Sequence, residues 1–173
     1  MQGATSPRVT NLVVKFTLDF DITLEFLQFV LEKVDYRPQR FNGAIVKDNG
    51  CTLLVFWNGK INVVGAKMME QAEAAVRRLC ELMDQPVNIK EMQLVNLVAS
   101  ASLGKSLNLN KLTESLPTQV SYNPDLYPAA YYTESRSEKP KVLIFHTGKL
   151  VFTGFKSIEA VNELYTKLSL LLF

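Results

Sequence analysis

One histidine, two cysteines and no apolar run of bilayer length leave this 173-residue chain short of the groups that carry catalysis, metal binding or membrane insertion. His146 has no serine, cysteine or paired-carboxylate motif around it, so no enzyme class suggests itself. The Gly-Lys pairs at Gly59-Lys60 and Gly148-Lys149 lack the spacing of a phosphate-binding loop, and no cofactor is implied. Cys51 and Cys80 form neither a metal pattern nor a disulfide framework, which fits a reducing compartment. The start, Met1 to Arg8, has no apolar core and does not read as a secretory signal. No stretch approaches the roughly 20 apolar residues of a membrane helix. Excess charge is also scarce: a formal +2, with a pI near 8.5, lies below the value of about 9 typical of basic nucleic-acid modules.

What the chain does have is an internal repeat. Asn11-Leu12-Val13 returns as Asn96-Leu97-Val98. Leu54-Val55-Phe56 with Gly59-Lys60 returns as Leu143-Ile144-Phe145 with Gly148-Lys149, and Gly65-Ala66-Lys67 as Gly154-Phe155-Lys156. Tyr36-Arg37-Pro38-Gln39-Arg40-Phe41 aligns with Tyr122-Asn123-Pro124-Asp125-Leu126-Tyr127. Several blocks in one order, offset by 85 to 89 positions, define a duplicated unit. The reading is a tail over 1–8, a first repeat over 9–90 and a second over 91–173.

Each repeat has one order of elements. An extended segment, Val9 to Leu18 or Met92 to Ala101, leads to a helix. Asp21 suits its N-cap in the first repeat, with Leu27, Val30, Leu31 and Val34 at helical spacing. The counterpart spans Leu107 to Leu116. Strands follow at Arg40 to Lys47, Thr52 to Trp57 and Ile61 to Val64, then at Leu126 to Thr133, Val142 to His146 and Leu150 to Thr153. Asn58-Gly59 predicts a two-residue type I′ hairpin, with Thr147-Gly148 in its place later. An amphipathic helix closes each repeat. Its apolar face is Ala72, Ala75, Val76, Leu79, Leu82 and Met83, or Ile158, Val161, Leu164, Leu168 and Leu171, with Leu170 to Phe173 as the last packed turn. Antiparallel strands with helices on one face make an α+β architecture.

The uncovered face of such a sheet is normally polar. Here Val13, Phe41, Phe56, Val98, Tyr127, Phe145 and Val151 make it apolar. Strand aromatics are usually core residues. Their return in symmetric pairs beside the same turns suggests a second use, as wedges inserted between base steps in a minor groove.

With these residues, the chain resembles the core domain of the TATA-box-binding proteins, themselves the standing example of minor-groove wedging. The resemblance runs from about Val9 to the C-terminus. It rests on Arg40-Phe41, the Leu54 and Leu143 blocks, Ser121 to Pro128, and Thr153-Gly154 with Lys156. It implies a pseudo-two-fold saddle, a curved antiparallel sheet with helices on its convex face. It implies binding to double-stranded A·T-rich DNA. The wedges would be Phe41, Phe56, Tyr127 and Phe145. Asn11 and Asn96 would donate to adenine N3 and thymine O2. Val13, Val98 and Val151 would form an apolar floor with Asn62, Val64 and Thr153. Arg40, Lys47, Lys60, Lys67, Lys149 and Lys156 would meet phosphates.

Four positions depart from the family pattern. Val64 stands opposite Thr153 in the alignment, Asn62 opposite Val151, Thr133 opposite Lys47, and Tyr127 replaces a phenylalanine. A polar Asn62 can admit a guanine or hold a water. The stretch between wedges is shorter in the first repeat. The resemblance further implies a transcription factor IIB-like partner at Asn123, Asp125 and Leu126. It implies a IIA-like partner near the shortened Lys47 to Cys51 loop, the RNA polymerase machinery, and self-association of the apolar underside off DNA. It places the protein in a nucleus if its source is eukaryotic, or otherwise in an archaeal cytoplasm or a virus-infected cell. Lys67, Arg77 and Arg78 lie on or near the first long helix, and a basic helix face can recruit acidic partners, although its simplest reading is a solvated surface. The expected role is an initiation factor that binds, kinks and marks promoter DNA. The alternative is a saddle-fold interaction module that competes for general factors with little bending of its own.

Overall fold

The computed structural model describes residues 3–134 and 140–172. Met1, Gln2 and Phe173, named above, lie outside the described residues. The chain forms two compact units, residues 11–95 and residues 1–10 with 96–173.

The first repeat runs β1 (Thr5–Leu18), α1 (Leu24–Val30), β2 (Val34–Tyr36), β3 (Ala44–Asp48), β4 (Cys51–Val55), β5 (Lys60–Ala66) and α2 (Met69–Leu82). The second runs β6 (Ile89–Ser102), α3 (Leu109–Ser115), β7 (Val120–Ser121), β8 (Ala129–Tyr132), β9 (Lys141–Phe145), β10 (Lys149–Phe155) and α4 (Ile158–Leu172). Pairing is antiparallel in the order β2-β3-β4-β5-β1 in one and β7-β8-β9-β10-β6 in the other. The topology is the same in both, as the repeat requires.

Alternation decides which face is covered, because successive strand side chains point to opposite sides. Val14, Phe16, Leu53, Val55, Ile61 and Val63 are fully buried, along with Ala72, Ala75, Val76 and Leu79 of α2. In the second repeat Ala99, Val142, Ile144, Leu150 and Phe152 are fully buried, along with Val161 and Leu168 of α4. Burying each of the larger aliphatic side chains contributes about 1.5–3 kcal/mol over leaving it exposed. The small alanines of α2 let its backbone approach the sheet.

Several expectations are corrected. β1 begins at Thr5, inside the segment read as a tail. The first helix covers Leu24–Val30 and not Asp21 to Val34. Its start is delayed because the Ile22 N–H donates to the Trp57 carbonyl at 2.6 Å, which holds the chain extended past Asp21. Its end comes early because Leu31 is extended and the β-branched Val34 pairs with Val46 in β2, a strand the periodicity hid. β7 was hidden likewise. Arg40 and Phe41 sit in the turn before β3, and Leu126 and Tyr127 in the turn before β8, not in the strands. Leu82, Leu170 and Leu171 are exposed, since each lies off the buried stripe of its helix, so the turn read as packed faces solvent at Leu170 and Leu171.

The hairpins also differ from a type I′ turn. Gly59 has φ +74° and Gly148 φ +82°, but neither Asn58 nor Thr147 has positive φ. The loops are Trp57-Asn58-Gly59 and His146-Thr147-Gly148, closed by Gly59 N to Phe56 O at 3.2 Å and Gly148 N to Phe145 O at 2.9 Å. This is the three-residue pattern in which glycine takes the left-handed position. Glycine is required there twice over. A Cβ on Gly59 would lie 2.5 Å from the Phe20 carbonyl oxygen, and one on Gly148 would lie 2.1 Å from that of Lys105. The end of β1 and the residue after β6 strap the hairpins: Leu18 N–H donates to Gly59 O and Leu103 N–H to Gly148 O, both at 2.9 Å.

Candidate nucleic-acid interface

The uncovered sheet face of each repeat carries the residues singled out in the sequence. None of Val13, Phe41, Phe56, Val98, Tyr127, Phe145 or Val151 is in the fully buried core. They are half-exposed, and Tyr127 is 40% exposed. The helices cover the opposite face, so these apolar side chains have no packing layer of their own within their repeat.

The four rings expected as wedges come together in pairs. Phe41 and Phe56 lie edge to face, with ring centroids 5.6 Å apart. Tyr127 and Phe145 lie 6.4 Å apart, tilted by 60°. Each pair is built from a turn and a hairpin. Phe41 N–H donates to Arg37 O at 3.0 Å, and Tyr127 N–H to Asn123 O at 3.1 Å. The partner ring leads into the strapped hairpin described above. The second repeat adds a ring that sequence reasoning missed: Tyr131 is 5.8 Å from Tyr127, and the Lys141 ammonium lies 5.7 Å from its centroid. The first repeat has Ile45 on the corresponding row, facing Leu54 across the ladder. Strand parity carries Tyr131 onto this face, since it pairs with Leu143.

The two asparagines have one geometry. Asn11 Oδ1 accepts from Gly65 N–H at 2.7 Å, and Asn96 Oδ1 accepts from Gly154 N–H at 2.8 Å. Each glycine has positive φ, +97° and +87°, beside an irregularity in strand register at Leu12/Val13 or Phe152/Phe155. An N–H can only donate, so the asparagine oxygen must face the glycine and the NH2 must face away. Each amide therefore offers donors to a ligand while its acceptor is occupied. That is the complement of the acceptor-only minor-groove edge of an A·T pair.

Around these, the floor differs between repeats. Val13 pairs with Val64, and Lys15 pairs with Asn62, which pairs with Leu54. In the second repeat Ser100 pairs with Val151, which pairs with Leu143, while Thr153 pairs with Lys141 and Val98 lies nearer the asparagine. The face of the first repeat is thus less apolar than expected. Lys15 was missed in the sequence, although it lies two residues after Val13 and so on the same side. It shares a cross-strand pair with the one floor position already marked as polar.

Arg40, Lys47, Lys60, Lys67, Lys149 and Lys156 are exposed. Lys47 Nζ donates to Thr52 Oγ1 at 2.7 Å, across the β3–β4 ladder where the two are register partners. Arg77 and Arg78 are not a free basic face: Arg77 bonds Glu73 one turn away, and Arg78 grips Asp48 with both carboxylate oxygens in reach. That pairing pushes the Arg78 guanidinium pKa up. Asn123 folds back, its Oδ1 accepting from Asp125 N–H at 3.1 Å, and leaves Leu126 81% exposed at the turn.

Nothing among the described residues gathers three or more His, Cys, Asp or Glu side chains. His146 is an exposed hairpin residue. Cys51 and Cys80 are free and buried, and burial pushes both thiols up, away from the reactive thiolate form. No described helix is long and apolar enough to cross a membrane.

Comparison with known proteins matches this chain twice to one family, described as transcription factor TFIID (or TATA-binding protein, TBP), over residues 6–86 and 91–173. A TATA-box-binding protein of Methanococcus aeolicus is 35% identical over 160 residues, covering 88% of this chain and 86% of that protein. A TATA-box-binding protein-like 1 of Entamoeba histolytica is 30% identical, covering 94% and 77%. The solved structure of Methanococcus jannaschii TBP superposes with a TM-score of 0.82 at 32% identity, over 95% of this chain and 96% of that one.

Proposed function

The chain belongs to the TATA-binding protein family and is a transcription initiation factor of that kind. From that premise we propose that it binds the minor groove of A·T-rich promoter DNA and kinks it with its two aromatic pairs. Each repeat addresses one half of the element. The observation that carries this reading is the doubled asparagine: in both repeats the amide oxygen is consumed by a glycine N–H, leaving donors for adenine N3 and thymine O2.

The wedges supply the deformation. Phe41 with Phe56, and Tyr127 with Phe145, are held at turns, half-exposed, with no helix to cover them. An apolar ring entering a base step unstacks it at a cost of a few kcal/mol, offset by the added surface the bent duplex wraps. The lysines and Arg40 set affinity and salt dependence without reading sequence. Because the formal charge is only +2, phosphate contacts come from these individual side chains and not from a general field.

A IIB-like factor docks at the turn of Asn123, Asp125 and Leu126, supported by the exposed Leu126. A IIA-like factor contacts the Lys47 to Cys51 hairpin edge, and the bound assembly serves RNA polymerase. Off DNA, the uncovered apolar face favours self-association. In a eukaryotic host these roles place the protein in the nucleus. The competing role, an interaction module without DNA bending, draws on Tyr127, Val64, Asn62 and Thr133.

End-to-end energy transfer on a short duplex with a central A·T element, against a G·C control, separates the two. Bending by the natural protein, lost in Phe56→Ala and Phe145→Ala, is the expected result. No bending at low salt and micromolar protein would overturn it in favour of the interaction module.

A further inference from the structure

On the first repeat's floor, two polar side chains face each other across the ladder where the second repeat has a short hydroxyl and a valine. Lys15 on β1 is the register partner of Asn62 on β5, and Ser100 on β6 is the register partner of Val151 on β10. All four are half-exposed on the uncovered face. Both rows continue into a leucine, Leu54 or Leu143, so the two sites differ in the polar pair and match beside it.

The amide of Asn62 differs from those of Asn11 and Asn96. Theirs are oriented by glycine N–H groups and can only donate outward. Neither Asn62 nor Lys15 has a side-chain hydrogen bond or ion pair among the described residues. Asn62 can therefore turn its oxygen outward, and Lys15 beside it brings only donors. Directly opposed strand residues have Cβ atoms about 4.5–5.5 Å apart, close enough for both to meet one base pair.

A G·C pair differs from A·T in this groove by one group, the guanine N2 amino donor, which lies between the acceptors guanine N3 and cytosine O2. An outward amide oxygen accepts from the amino group. An adjacent ammonium donates to one of the flanking acceptors. Val151 can do neither: its methyl groups would strip water from the amino group without replacing its hydrogen bond. We propose that the Lys15–Asn62 pair makes the first repeat a reader that admits G·C within its half of the element, while Val151 keeps the second repeat restricted to A·T. The promoter element this protein prefers is then asymmetric, with a G·C pair tolerated on one side. This rests on the minor-groove reading above.

The test is a set of duplex titrations that does not depend on which way round the protein sits. One duplex carries an all-A·T element. A second has a G·C pair in one half, and the scan moves it through that half. A third has the G·C pair in both halves at mirrored positions. The natural protein is expected to bind the second within about threefold of the first at one or two positions, by turning its first repeat to the G·C side. It should bind the third at least tenfold more weakly, in line with the usual cost of a wrong pair. In Asn62→Val the ratio of the second to the first should fall at least tenfold. In Val151→Asn the third duplex should recover relative to the first. Lys15→Ser should leave a weaker preference of the same kind and lower the salt slope by about one. Equal penalties for one G·C pair in the natural protein and Asn62→Val would overturn the assignment while leaving the minor-groove reading intact. Failure of the natural protein to bind the all-A·T duplex would overturn both.

Discussion

The two repeats agree where backbone groups are at stake and part where only side chains are. Asn11 and Asn96 accept from glycine N–H groups at 2.7 and 2.8 Å. Both hairpins are strapped by a connection at 2.9 Å. These groups are partly or fully withdrawn from water, so losing a partner leaves an unsatisfied donor at about 1–3 kcal/mol. The floor and the rings carry no such penalty. There the repeats diverge to Lys15–Asn62 against Ser100–Val151, and to Phe41 with Ile45 against Tyr127 with Tyr131. Duplication thus preserved the frame and left the uncovered face free to diverge.

The strongest way to break the shared frame is at the hairpin glycines. Gly148→Ala should destabilise its repeat by about 3 kcal/mol or more, and Gly59→Ala by somewhat less, since the closest approaches are 2.1 and 2.5 Å. Chemical denaturation checks this, and equal small losses would show that the straps are slack. Next come Asn11→Asp and Asn96→Asp. A carboxylate still accepts from the glycine N–H, so the fold should hold, but the outward donors vanish and a negative charge enters the groove. DNA affinity should fall by roughly 3 kcal/mol, about a hundredfold, in each, as read by fluorescence titration beside thermal melting. Unequal losses would mean that one repeat dominates recognition.

Tyr127→Phe makes the second wedge pair like the first. Removing a hydroxyl that must be desolvated should tighten binding to bent DNA by about 1 kcal/mol, roughly fivefold. A loss of affinity would show that the hydroxyl finds a partner in the complex. The smallest effect belongs to the helix-covered face. Tyr132 is fully buried and its hydroxyl has no hydrogen-bond partner among the described residues, whereas the aligned first-repeat residue is Val46. Tyr132→Phe should be neutral or stabilising by up to about 1 kcal/mol in denaturant unfolding. Beside the smaller Val46 a groove of about 360 Å³ opens between β3 and α2, lined by Leu31, Leu53, Ala75 and Leu79.

Most of the candidate interface was legible because the repeat places each residue beside an equivalent. Phe56 and Phe145, or Asn11 and Asn96, are found by alignment alone, and period-two alternation assigns them a face. Lys15 and Tyr131 escaped because they have no look-alike at the aligned positions, Ser100 and Ile45. Parity placed them on the face, but no motif marked them. The bounds of the first helix escaped for a different reason. Its start depends on a hydrogen bond from Ile22 to Trp57, and its end on the pairing of Val34 with Val46. Both partners are distant in sequence, and local periodicity cannot report them.

By itself the sequence determined the duplication, the α+β order of elements, the aromatic pairs and the asparagines. All of these follow from identity, spacing and alternation along the chain. Tertiary structure alone decided how each asparagine amide points, which cross-strand neighbours share a row, that Arg77 and Arg78 are spent on Glu73 and Asp48, and why the hairpin glycines admit no side chain. The physical reason is common to all four. Hydrogen-bond direction and close backbone approach are properties of pairs brought together by folding, and neither residue of a pair carries them alone.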